Sequence, residues 1–180
     1  MQGGKDAASG KPKIIITSSL KDVRLVAPKK KNTYKIYGKK AVRLTVRREK
    51  NTDYYYKIAR QGKHHSLVKW KALNGKTITV KAAPYGQRVF IRAVRDGKTT
   101  IKKTTGFVVD TAKPTIKGVK NAAIYKNTRM VLISDGSGIA SVKLNGKNMP
   151  EQFLVKKRGF YHLVVTDRAG NKKQVFFALI

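Results

Sequence analysis

The chain has 180 residues, 41% of them hydrophobic, a length that suits one large domain or two small ones and an apolar fraction that can fill packed cores. It has no cysteine, which excludes disulfides, thiolate metal sites and thiol nucleophiles, and no apolar run reaches the roughly 18 residues of a membrane span. With 41 Lys+Arg against 9 Asp+Glu the formal charge is +32, a field that attracts polyanions and makes such binding salt-dependent while also keeping the chain soluble.

Residues 1–12 are polar and Gly-rich with no apolar h-region, so they read as a flexible lead and not as a secretory signal; in an exported protein the signal would already have been removed. Helical periodicity is nearly absent. Short alternating segments between turn residues take its place, which predicts an all-β chain. Strands are expected at 13–17 and 23–27, before Pro28 and the Lys29-Lys30-Lys31 run. Residues 41–47 alternate, setting Val42, Leu44 and Val46 on one face and Arg43, Thr45 and Arg47 on the other. An aromatic strand follows at 54–59, then 76–82 with Ile78 and Val80 inward. The strongest strand, 88–95, leads through the Asp96-Gly97 turn into 99–103.

Residues 107–114 close this first unit and open a second, with Pro114 interrupting any continuous ladder. The segment is too short for a floppy linker, so the expected architecture is two tandem sandwiches joined by a short Pro-containing link: a tail at 1–12, a basic domain at 13–109 and a second domain at 110–180. In the second, strands are expected at 115–119, 129–134, 139–144, 159–166 and 172–180. Asn145-Gly146 marks a hairpin, because both central residues of a type I′ turn need positive φ.

The motifs Asp110-Thr111-Ala112-Lys113-Pro114-Thr115-Ile116, Ser134-Asp135-Gly136-Ser137-Gly138-Ile139, Leu144-Asn145-Gly146-Lys147 and Val165-Thr166-Asp167-Arg168-Ala169-Gly170-Asn171 occur in that order. Together they resemble a bacterial immunoglobulin-like repeat of Gram-positive surface or secreted proteins. The first unit resembles the same Ig-like or fibronectin-like class through Tyr55-Tyr56-Lys57-Ile58, Trp70 and 91–97, although only Asp96-Gly97-Lys98 stands where a fuller turn is usual. The resemblance implies an extracellular or cell-wall-associated module for display, spacing or adhesion.

Catalytic signatures are missing: there is no Gly-x-Ser-x-Gly, no phosphate-binding loop and no His-Glu-x-x-His, and the two glutamates, Glu49 and Glu151, fall in different expected domains. No enzyme activity and no cofactor are expected. His64-His65 reads as solvated, because adjacent residues on a strand face opposite ways and no carboxylate completes a site. Asp110, Asp135 and Asp167 could gather Ca²⁺ at a sandwich end, but turn aspartates ordinarily cap their own backbone, so no metal site is assigned. Trp70 reads first as a core residue, and second as an exposed platform flanked by Lys69 and Lys71.

Charge is uneven along the chain: residues 1–109 hold 28 basic and 5 acidic residues, residues 110–180 hold 13 and 4. The residues expected to contact a polyanion are Lys29, Lys30, Lys31, Lys39, Lys40, Arg43 and Arg47, with Arg43 and Arg47 forming a stripe on one strand face. The partner so implied is an anionic wall polymer or sulfated glycan; no nucleic-acid motif accompanies the cations, so a nucleic acid is not expected as a specific target. Two other readings stand beside this one: a passive spacer in a larger surface protein, and a carbohydrate- or protein-binding adhesin working through Trp70 and exposed tyrosines.

Overall fold

The computed structural model describes residues 10–30, 34, 36–60 and 64–180. Most of the expected tail (1–9), Lys31 and residues 61–63 lie outside the described residues. By contacts the chain divides into two compact units, Met1–Ile36 with Ala41–Phe107 and Tyr37–Lys40 with Val108–Ile180.

In chain order the strands up to Val109 are β1 (Ile15–Ser18), β2 (Leu25–Val26), β3 (Ile36–Gly38), β4 (Val42–Arg47), β5 (Asp53–Arg60), β6 (Lys71–Ala72), β7 (Thr77–Val80), β8 (Gln87–Arg95), β9 (Lys98–Thr104) and β10 (Phe107–Val109), and the division between the units falls after Ile36 in β3 and after Phe107 in β10. One sheet runs β1-β4-β7; in the other β8 lies between β5 and β9, β6 pairs the far side of β5, and β10 and β3 extend the layer. Burial follows the period of two: Val42, Leu44 and Val46 are no more than 1% exposed, while Arg43 and Arg47 between and beside them are exposed. Ile78 and Val80 from β7 and Val89, Ile91 and Ala93 from β8 complete this core. Each such side chain contributes about 1.5–3 kcal/mol by leaving water.

The second unit holds β11 (Thr115–Lys117), β12 (Ala123–Tyr125), β13 (Arg129–Ser134), β14 (Ile139–Leu144), β15 (Lys147–Asn148), β16 (Gln152–Val155), β17 (Gly159–Asp167) and β18 (Lys172–Leu179). Its sheets run β11-β13-β16 and β12-β18-β17-β14-β15. Val131, Ile133, Phe153 and Val155 from the first and Val142, Leu163, Val165, Val175 and Phe177 from the second meet in one core. Asn145 (φ 49°) and Gly146 (φ 81°) adopt the positive-φ pair that a type I′ turn demands, as do Asp96 (φ 48°) and Gly97 (φ 70°).

The chain is all-β, as expected from its alternation, with one 3₁₀ turn at His65–Leu67 among the described residues. No helix is long and apolar enough to cross a membrane. The strands β3, β6, β12, β15 and β16 were not expected from the sequence.

Candidate functional site

The outward face of the large sheet in the first unit carries cations set around one buried aromatic ring. On β8, Val89, Ile91 and Ala93 point into the core, so Arg88, Phe90 and Arg92 point away from it. Register then places Lys57 of β5 directly opposite Phe90 on one side and Lys103 of β9 directly opposite it on the other. The result is a cross, with Phe90 at the centre, lysines at either side and arginines above and below.

Unusually for lysines, Lys57 is only 6% exposed and Lys103 only 4%. Buried lysines are ordinarily paired with a carboxylate. Here the described residues contain a single ion pair, Arg95 Nη1 with Glu49 Oε2 at 3.1 Å, and it involves none of the four. Asp53, at the end of β5, is exposed and makes no ion pair among the described residues. Aromatic rings and a carbonyl stand in instead. Lys57 Nζ donates to the His65 carbonyl at 2.6 Å and lies 4.7 Å from the Trp70 ring centre; Arg92 sits 4.5 Å from the ring of Tyr55 and 4.9 Å from that of Trp70. Phe90 is shared by Lys57, Arg88 and Lys103 at 5.6, 5.9 and 6.0 Å, near the limit at which a ring attracts a cation.

The electrostatic consequences agree with this crowding. Burial lowers the pKa of Lys57, and Arg92 lowers it further; burial and then Arg88 lower that of Lys103. His65 stacks on Phe90 at 4.5 Å, and loss of water on that ring face, then Lys57, Arg88, Lys103 and His64, lower its pKa. Burial raises the Tyr34 hydroxyl, with Arg88 acting in the opposite direction. Tyr34 Oη, Arg88 Nε and Arg92 Nε are buried and have no hydrogen-bond partner among the described residues. Beside Lys57 opens a cavity of about 430 Å³ whose lining includes Lys69, Lys71, Lys81, Tyr85 and Gln87.

Of the residues expected from sequence to contact a polyanion, Arg43 and Arg47 do share the outward face of β4, with Thr45 between them. Lys29 and Lys30 are exposed after β2, Lys39 and Lys40 are exposed in the turn between β3 and β4, and Lys31 lies outside the described residues. One expectation needs correction: Trp70 is not a core residue but a half-buried ring already engaged by Lys57 and Arg92. His64 and His65 are exposed, as expected, with His65 stacked by one ring face on Phe90. None of the 8 tyrosines is fully exposed, because phenol rings here lie under arginines or in the sandwich. Lys57, Arg88, Arg92 and Lys103 were missed as a group. The sequence signal that could have found part of it is Arg88-x-Phe90-x-Arg92, alternating with three core residues.

In the second unit, side-chain oxygens of Asp110, Asp135 and Asp167 come within 4.8 Å of one another. Each also serves its own turn: Asp110 accepts from the Ala112 N–H, Asp135 from the N–H and hydroxyl of Ser137, and Asp167 from the N–H and side-chain amide of Asn171. The outward face of the larger sheet is apolar. Ile124, Phe160 and Phe176 are exposed around Ala178, His162 stacks on Phe176 at 4.2 Å, and the groove encloses about 370 Å³.

The strand orders decide the fold. Both units pair an A-B-E sheet (β1-β4-β7; β11-β13-β16) with a G-F-C-C′ sheet (β9-β8-β5-β6; β18-β17-β14-β15). Each is an immunoglobulin-type sandwich. No family model and no curated protein matches the chain. Among solved structures it is similar to a Dscam structure concerned with isoform specificity (12% identity over 91% of this chain and 47% of that one, TM-score 0.43). It is also similar to the N-terminal four Ig domains of Dscam1 isoform 7.44 (11%, 80% and 42%, TM-score 0.40). A third is Bacteroides ovatus SGBP-B, of a mixed-linkage glucan utilization locus, in complex with a mixed-linkage heptasaccharide (15%, 89% and 48%, TM-score 0.28). The chain spans less than half the length of each, and its immunoglobulin-type fold rests on its own strand order.

Proposed function

We propose that this protein is a non-catalytic module of the cell exterior whose first domain, 13–109, holds linear anionic polymers such as wall polymers or sulfated glycans. The second domain, 110–180, is a rigid presenting module joined to it by a short Pro-containing link. The observation that carries the reading is the cross of Lys57, Arg88, Arg92 and Lys103, four cations on one sheet face without a carboxylate partner among the described residues. Arg43 and Arg47 on the opposite sheet, with Lys29, Lys30, Lys31, Lys39 and Lys40 nearby in sequence, supply the exposed contacts that steer a polymer and lose affinity as salt rises. The engagement of Trp70 by two cations favours this electrostatic mode over an adhesin that stacks sugars on Trp70.

Retention on heparin and on teichoic acid at graded salt tests the reading. Replacing Lys29, Lys30, Arg43 and Arg47 by serine lowers the slope of log affinity against log salt by roughly 1 for each phosphate or sulfate that the chain ceases to neutralise. Unchanged retention at physiological salt removes these residues from the site. Absence of retention by the unaltered chain even at low salt leaves the passive spacer.

A further inference from the structure

A cation taken out of water needs compensation, and around Phe90 the compensation is uneven. On the β5 side, Lys57 has the His65 carbonyl and the Trp70 ring, and Arg92, whose Nε is also buried without a hydrogen-bond partner among the described residues, has two rings close by. On the β9 side there is much less. Among the described residues Lys103, 4% exposed, has only the Phe90 ring at 6.0 Å, a ring that Lys57 and Arg88 also share and on which His65 stacks. Arg88 lies 5.9 Å from that ring and 5.8 Å from the ring of Tyr34, distances too long to offset burial of its Nε–H. The Tyr34 hydroxyl, also buried and without a partner among the described residues, completes the corner. Tyr34 is held there by contact: a Cβ on Gly86 or Gly106 would collide with its ring, so only glycine at both positions lets the ring settle on the backbone.

Two buried donors, Arg88 Nε and the Tyr34 hydroxyl, have no hydrogen-bond partner among the described residues, and Lys103, close to the same Arg88, makes no ion pair there. Arg88 and Tyr34 are only partly buried as residues, although the Arg88 Nε and the Tyr34 hydroxyl are themselves buried. A guanidinium, an ammonium and a phenol hydroxyl at one corner are the donor set that a tetrahedral or carboxylate oxyanion satisfies.

We propose that the Tyr34–Arg88–Lys103 corner is a binding site for a single oxyanion group, a sulfate or phosphate, free or borne on a glycan. It shares Arg88 and Lys103 with the reading above and deepens it, but needs neither Arg43 nor Arg47 and takes one group at a stoichiometric, partly dehydrated site. Binding there offsets the cations that depress His65, so occupancy is legible in the titration of that imidazole. The groups facing His65 are Lys57 on β5, Arg88 on β8, Lys103 on β9 and the adjoining His64, all basic.

The experiment titrates the full chain with inorganic sulfate, by calorimetry and by NMR of the His65 and Tyr34 rings, against chloride at matched ionic strength. Sulfate is expected to saturate at one site and to raise the His65 titration midpoint; chloride is expected to do neither. Arg88→Met and Lys103→Met each weaken sulfate binding at least tenfold, Tyr34→Phe weakens it several-fold, and Arg43→Ser with Arg47→Ser leaves it within twofold. Tyr34→Phe removes one oxygen only and keeps the test open should a cation variant fold poorly. A sulfated disaccharide separates the sources: tighter binding than inorganic sulfate assigns the group to a glycan, equal binding assigns a free anion, and both support the site. Equal responses to sulfate and chloride, or undiminished binding in both cation variants, overturn the proposal. A chain that binds sulfate here yet is not retained on heparin loses the polymer reading and keeps this site.

Discussion

The two units share a strand order and differ in what their G-F-C-C′ sheets turn outward. In the first, the outward positions of the central strand are Arg88, Phe90 and Arg92, and a 3₁₀ turn and Trp70 cover them. In the second, the matching strand turns Phe160 and His162 outward beside Phe176 and Ile124, and these four groups line an open groove. The inward positions are alike: Val89, Ile91 and Ala93 in one, Leu163 and Val165 in the other. The same scaffold therefore carries a cationic face and an apolar face, and the choice is made at alternate residues that the core does not constrain. The core and the candidate site occupy opposite sides of the same strands.

The sharpest break in the comparison comes from the central ring. Phe90, 2% exposed, is expected to cost about 3–5 kcal/mol on replacement by alanine, whereas His162→Ala on the matching strand of the second unit costs about 1 kcal/mol, the worth of its stack on Phe176. Urea unfolding of both variants checks the contrast; similar losses would mean that Phe90 is no more of an anchor than His162. Next in size, Lys103→Met raises stability by on the order of 1 kcal/mol in low-salt buffer without oxyanions, because it replaces an unpaired buried charge by an apolar chain of similar length. A fall in melting temperature would show that the lysine is better compensated than its neighbours indicate.

A smaller effect is expected with pH. His65 has a lowered pKa in the folded state, so above the unfolded value near 6.5 both states are neutral and nothing is lost. As pH falls through 6.5 towards the folded pKa the unfolded chain takes up a proton that the folded one resists, and stability declines. The decline is shallow, since His65 remains largely exposed, and is removed in His65→Gln; denaturation midpoints between pH 7.5 and 5 measure it. Smallest of all, Phe160→Ser changes stability by no more than about 0.5 kcal/mol, because a ring 86% exposed has little burial to lose. A larger loss in the same unfolding assay would show that the apolar face belongs to the core after all.

Much of this fold could be read from local pattern. Val42, Leu44 and Val46 declare a half-buried strand by alternation, and Asn145-Gly146 declares a hairpin by conformational need. Short edge elements could not be read: Ala123–Tyr125 pairs in parallel with β18, more than fifty residues away in sequence, and Gln152–Val155 is only four residues between a proline and a basic run. The site divides in the same way. Arg43 and Arg47 are on one strand, so period two puts them on one face. Lys57 and Lys103 reach Phe90 only through the registers of two other strands, which no local pattern fixes. The turn aspartates were legible one at a time as caps, and their convergence was not, because it depends on how three separate turns gather at one end of the second unit.

Most direct for the central claim is a map of where a polyanion touches the full chain. Amide and aromatic NMR shifts followed during titration with a heparin oligosaccharide at physiological salt are expected to move at Arg43, Arg47, Lys57, Arg88 and Lys103 and their strand neighbours, leaving the second unit unchanged. Shifts gathered instead at Lys156, Lys157 and Arg158, or around Phe160 and Phe176, would contradict the assignment of binding to the first unit.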